Sequence, residues 1–219
     1  MTGWWRRNRW ALLALPFVLL LAAGAGSYRV WNFWNPYELT DPVAGRSGEP
    51  VRFTHTLEDD RGSYTVDLTV TAADPVPADH FTDQEGMMHY FPRSEGSRVW
   101  RTDLTVQADP ASPLTGCQVR LVDGLGRATL YRTSPLGGEA SLGLPGSPCV
   151  PPGAPGPSPD FGFGLEEPAA TRPATYTVPV YVRTAQDFVP ESIEIWWETP
   201  WHLSIDVDAD AEADAGEEG

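Results

Sequence analysis

Lysine is missing altogether from this chain of 219 residues, cysteine occurs twice, and the four histidines, His55, His80, His89 and His202, fall in distant segments. Each shortage removes a class of function. Beyond Arg29 only 11 basic residues stand against 30 acids, a formal charge of −19, which argues against nucleic acid and anionic lipid as partners of that part through plain repulsion. No Gly-x-Ser-x-Gly elbow, His-Glu-x-x-His pair or phosphate-cradling glycine loop occurs, and the scattered histidines offer no evident base for a serine or cysteine nucleophile. Neither enzyme activity nor a cofactor is expected. A Cys-x-x-Cys pair is also absent, so Cys117 and Cys149 are expected to form one disulfide, with two free thiols acting as ligands or redox groups as the alternative.

Long apolar runs are equally scarce, for there is one. Arg6, Arg7 and Arg9 precede the stretch from Trp10 to Tyr28, and a helix of that length spans about 28 Å, close to the hydrocarbon thickness of a bilayer. Basic residues hold their flank in the cytoplasm, because arginine translocates poorly. Residues 1–9 are therefore expected inside, 10–28 in the membrane, and the C-terminal domain outside. Trp4, Trp5 and Trp10 at one end, with Tyr28, Trp31 and Trp34 at the other, match two interfacial aromatic belts. A cleaved signal peptide competes with this reading, since Ala11 to Ala23 would serve as its apolar region and Ala23-Gly24-Ala25 as its cleavage pattern. Either way the domain is exported, where its cysteines can pair.

Residues 29–49 hold Pro36, Pro42, Gly45 and Gly48 with little periodicity and are expected to form a stalk. Alternation then begins and fills residues 50–205. Val51, Phe53, His55 and Leu57, then Tyr64, Val66, Leu68, Val70 and Ala72 after a turn at Asp59 to Gly62, predict a hairpin with one apolar face. Further strands are expected at 98–107, 117–121, 128–132, 176–182, 192–198 and 202–207, with Trp100, Leu104 and Val106 pointing inward. Pro179 removes a ladder donor and so places its strand at a sheet edge or a bulge. Asp74 to Gly96 is expected to be a loop with at most one helical turn, and residues 143–173 a Pro/Gly-rich insertion. About eight short strands without a soluble helix predict an all-β, antiparallel β-sandwich. Residues 206–219, with seven acids among alanines, are expected to form a disordered, solvated tail.

Three clusters are candidates for binding. Asp79, His80, Asp83, Glu85, Met87, Met88 and His89 crowd one loop; His80, Met87, Met88 and His89 suit a soft, copper-like ion, although their spacing matches no metal motif and a polar loop is the simpler reading. In the tail, Asp206, Asp208, Asp210, Glu212 and Glu217 partly mimic a calcium loop, but Ala211 stands where that loop needs glycine. Trp196, Trp197, Trp201 and His202 form the densest aromatic cluster; because neighbours on a strand face opposite ways, one of Trp196 and Trp197 would pack in the core and leave the other as an exposed platform, although core packing alone is the simpler reading.

The Arg-Arg pair before the anchor, Gly62 through Leu68, Leu104-Thr105-Val106, Cys117-x-Val-x-Leu-x-Asp leading to Gly126, Cys149-Val-Pro-Pro, Val189-Pro190 and Trp196-Trp197 carry a resemblance. With these landmarks the chain resembles single-pass membrane proteins of high-GC Gram-positive bacteria that bear an extracytoplasmic immunoglobulin-like domain. The resemblance implies fold and placement and carries over no catalytic residue. The expected function is a membrane-anchored binding or assembly module of the cell envelope, held to lipid by its helix and meeting a protein or cell-wall partner. The alternative is a metal-binding envelope module built on the His80 to His89 loop.

Overall fold

A helix that is apolar on every side has no face to turn toward water, and it folds stably only where something apolar surrounds it. Helix α1 (Thr2–Arg29) is of this kind in the computed structural model, which describes residues 2–29, 38–83, 85–137, 144, 146–160 and 170–209. Its stretch Arg7–Ser27 is long and apolar enough to cross a membrane, and none of that stretch is covered by the rest of the chain. Pro16 lies inside it. Trp31 and Trp34 of the expected outer belt, and Asp210, Glu212 and Glu217 of the acidic tail, lie outside the described residues.

The remainder is mostly β. Twelve strands follow in the described residues: β1 (Asp41–Arg46), β2 (Val51–Asp59), β3 (Gly62–Ala72), β4 (Val76–Pro77), β5 (His80–Thr82), β6 (Met88–Tyr90), β7 (Ser97–Ala108), β8 (Gln118–Asp123), β9 (Ala128–Leu130), β10 (Thr175–Ala185), β11 (Pro190–Trp196) and β12 (Trp201–Asp206). One sheet has the order β1-β12-β11-β8-β9, the other β10-β7-β3-β2 with β4 beside β7, and β5 pairs with β6 alone. Period-two alternation explains the two large sheets. Val66, Leu68, Val70 and Ala72 of β3, Trp100, Leu104 and Val106 of β7, Ile193 and Ile195 of β11, and Leu203 and Ile205 of β12 all join one buried cluster that spans both sheets. Polar groups caught inside it are paired: Trp100 Nε1 donates to Thr184 Oγ1 at 3.2 Å, and Thr102 Oγ1 to the Ala73 carbonyl at 2.7 Å. Pro179 lies on β10, which ends its sheet, as the missing donor requires.

The structure differs from the sequence expectations in three places. Residues 41–46, expected in the stalk, form β1, and β1 pairs with β12 in parallel, so the sheets are not wholly antiparallel. Gly45 makes this possible: a Cβ there would come within 2.1 Å of Val51 Cγ2, and its absence lets β1 lie close across the start of β2. The loop between Asp74 and Gly96 contains β4, β5 and β6 and, among its described residues, no helical turn. In the described parts of the Pro/Gly-rich segment, Cys149, Val150 and Arg172 are buried. Third, at the other boundary, Val207 N donates to the Glu191 carbonyl and Ala209 is buried, so the first residues of the expected tail continue the domain.

The register defines two ends. The chain arrives from α1 at Asp41, level with Trp201, and Trp196 pairs with Gln118 at that same end, here the near end. The turns 46–50 and 123–127 and the connection 186–189 lie at the opposite, far end.

Candidate functional site

Disulfide, cation and aromatic contacts converge at the near end. Cys117 and Cys149 stand at disulfide distance, Sγ–Sγ 2.04 Å, with both residues buried. The Tyr176 hydroxyl donates to the Cys149 carbonyl at 2.8 Å, and burial pushes that phenol up to about 12 while the nearby Arg172 guanidinium opposes the shift. Arg172 itself is fully buried. Its Nη2 donates to the carbonyls of Asp109 (2.7 Å) and Ser112 (2.8 Å), and Nη1 to that of Pro155 (3.3 Å), so one cation ties the loop at 109–112 to the Pro/Gly-rich segment. Desolvation lowers its pKa. Arg61 pairs with Asp160 at 2.9 Å and fastens the same Pro/Gly-rich segment to the β2–β3 turn.

The aromatic cluster belongs to this end, and its four members do not share one open face. Trp197 stacks on Phe53 with ring centroids 5.7 Å apart, and its Nε1 donates to the Leu114 carbonyl at 3.0 Å. Trp196 faces the other way, with the Arg120 guanidinium 5.7 Å from its ring and Arg120 in turn paired with Glu194. His202 is buried and its Nδ1 donates to the Pro200 carbonyl at 3.3 Å. Trp201 is the most exposed of the four, yet it lies 3.9 Å, centroid to centroid, from the His55 ring, tying β12 to β2 of the other sheet.

At the far end the expected metal loop is a hairpin. Gly86, at φ +82, turns the chain between β5 and β6, a conformation that costs glycine little. The pairs His80↔Tyr90, Phe81↔His89 and Thr82↔Met88 place His80 and His89 on opposite faces, so the two rings do not converge on one ion. Each has its own carboxylate: His80 Nδ1 to Asp79 at 2.6 Å and His89 Nε2 to Asp83 at 2.6 Å. Among the described residues no group of three histidine, cysteine or acidic side chains could hold a metal ion. The hydrogen bond from His89, together with those from the Met87 and Glu85 N–H groups, holds the Asp83 carboxyl below its ordinary range.

The inward face of this hairpin explains why it is fixed in place. Phe81 and Phe91 bury against Val99, Leu136 and Tyr181, a second small core on the outside of the β7–β10 pair. His89 stacks on Phe81 at 5.1 Å. The sequence signal for this core lay in Val99-Trp100 and Val180-Tyr181-Val182, where consecutive buried residues break the alternation and mark a strand covered on both faces. The outward face carries Met88 (55% exposed) and Tyr90 (70%), with Met87 (56%) beside them.

A second far-end turn is held in a similar way. Burial alone would raise Asp123, but Arg127 and the N–H groups of Arg127 and Leu125 donate to its carboxylate, and its pKa ends below the ordinary range. A depression of about 410 Å³ is lined by Ala73, Asp74, Pro75, Val76, Arg101, Asp103 and Asp208. Arg101 is engaged there by both Asp103 oxygens, at 2.9 and 2.8 Å. No protein-family model, no curated protein and no solved structure matches the chain.

Proposed function

We propose that this chain is a single-pass protein of the cell envelope, with a short cytoplasmic N-terminus and an exported, immunoglobulin-like β-sandwich that binds or assembles with another envelope component without catalysis. The observation that carries the reading is the uncovered apolar stretch Arg7–Ser27, joined by a short connection to an acidic β-domain. Arg6, Arg7 and Arg9 on the N-terminal flank support the orientation. A buried cysteine pair at disulfide distance supports an oxidising compartment. Two sheets facing across one core, with the chain passing repeatedly between them, support the sandwich and its immunoglobulin-like type. The resemblance to envelope proteins of high-GC Gram-positive bacteria points the same way.

Placement is tested on the full chain, tagged at its C-terminus and expressed in a bacterium. Alkaline extraction is expected to leave it in the membrane, and protease added outside intact spheroplasts is expected to remove the tag. Release of the intact chain by alkali, or a tag protected until lysis, would overturn the reading.

A further inference from the structure

Seven large apolar residues of the described β-domain are exposed, namely Val43, Met87, Met88, Tyr90, Leu125, Val189 and Trp201, and five of them lie at the far end. Three belong to the β5–β6 hairpin. That hairpin is mounted on its own buried core of Phe81, Phe91, Val99, Leu136 and Tyr181, so its outward side chains are presented by a fixed support. Their exposure does nothing for the fold.

The surroundings select the occupant. Residues 79–96 hold four carboxylates, Asp79, Asp83, Glu85 and Glu95, against one arginine, Arg93. Beyond Arg29 the chain has 11 basic and 30 acidic residues, so a second copy, anionic lipid and nucleic acid are all repelled. A purely apolar occupant would have to strip water from Asp79 and Glu85, both exposed beside the apolar side chains. Methionine is unbranched and adapts to varied apolar shapes, and tyrosine adds a flat ring with a polar tip. Apolar adaptable residues on a hairpin whose exposed neighbours in the chain include Asp79 and Glu85 complement a helix or strand with apolar residues on one side and cations on the other.

We infer that the outward face of the β5–β6 hairpin, formed by Met88, Tyr90 and His80 with the exposed Met87 beside them, docks a cationic amphipathic segment of a partner protein. The inference rests on the proposed reading of the domain as a binding module and gives that module its contact face. It is tested with the full chain in zwitterionic lipid nanodiscs at physiological salt, titrated with a fluorescent amphipathic peptide made of leucine and lysine, with empty discs as blank. Saturable binding at one site is expected. Met88→Ser with Tyr90→Ser is expected to weaken it at least tenfold, while Val43→Ser, an exposed apolar residue on β1, leaves it unchanged. Asp79→Asn with Glu85→Gln retains the apolar face and is expected to weaken binding several-fold, so the test does not hang on one variant. Equal binding of a lysine–serine peptide or of a leucine–glutamate peptide would contradict the inference. So would affinity unchanged by the hairpin substitutions, zwitterionic vesicles that compete for the face, or self-association that masks it. Placement is read separately by protease: an exported, anchored chain that ignores the peptide overturns this inference alone, and a chain found inside overturns the function it rests on.

Discussion

At the near end of the β-domain a cysteine pair, a buried arginine on three carbonyls and a tryptophan stacked on Phe53 draw distant segments together. At the far end two turns hang on single aspartates, Asp83 and Asp123, and the side chains above them stay open to solvent. The near end holds the densest aromatics, yet little of their surface is free, because a tryptophan between two sheets gains more from burial than from display. At the far end Phe81, Phe91 and Tyr181 are likewise buried, and Tyr90 alone of that group stands open to solvent. Aromatic density in a sequence therefore marks where a domain closes as readily as where it binds.

The contrast can be broken from either side. The largest effect is expected from Cys117→Ser with Cys149→Ser, which releases a loop with a sequence separation of 32 residues. In the chain-entropy account the stability lost is about 4 kcal/mol. Denaturant unfolding reads it, and an equal midpoint for the oxidised and substituted proteins would remove the disulfide from the account. Phe81→Ala empties the centre of the small outer core and is expected to cost about 3 kcal/mol, in the range for a buried phenylalanine. Because that core is separate from the main one, hydrogen exchange is expected to quicken in β5 and β6 while β3 and β11 stay protected. Uniform loosening would show that the hairpin is not an independent unit.

Acid sharpens the comparison with a smaller effect. Asp83 and Asp123 both have folded pKa values below their ordinary 3.8, so their contribution is complete above that pH and is lost as pH falls through the lower folded values. The disulfide and the Arg172–carbonyl bonds contain no group that titrates there. Amides of residues 83–90 and 123–128 are therefore expected to lose protection below about pH 3.8 before those of residues 149–156, an order that hydrogen exchange across pH 2 to 6 reads directly. The smallest change in stability, within about 0.5 kcal/mol, is expected for Met88→Ser and Tyr90→Ser, because neither side chain is buried.

Much of this architecture is legible in the alternation of residues. Val66, Leu68 and Val70, or Ile193 and Ile195, can face one core only on a strand of that register, and the eight strands expected from such patterns are present as β2, β3 and β7 to β12. Strand β1 was illegible, since Asp41-Pro42-Val43-Ala44-Gly45-Arg46 has no apolar period and is held by the backbone of β12 instead. The hairpin was hidden by brevity: three residues a side leave too little pattern to separate strand from loop. Arg172 could not be read at all. Its role depends on carbonyls 60 and 63 positions away, and no local feature of a Pro/Gly-rich segment announces a buried cation. For the candidate site, composition found both His80 to His89 and Trp196 to His202, but which face each side chain occupies follows from register and packing.

The central claim is that the domain closes at the end where the chain arrives and makes contact at the other. A photo-reactive amino acid placed at Tyr90 or at Trp201 of the full chain, irradiated in cells, with the cross-linked peptides identified by mass spectrometry, tests it most directly. The account predicts a discrete adduct from position 90 onto a basic, apolar segment of one protein and none from position 201. Adducts from position 201 alone, or from position 90 onto lipid or an acidic segment, would contradict it.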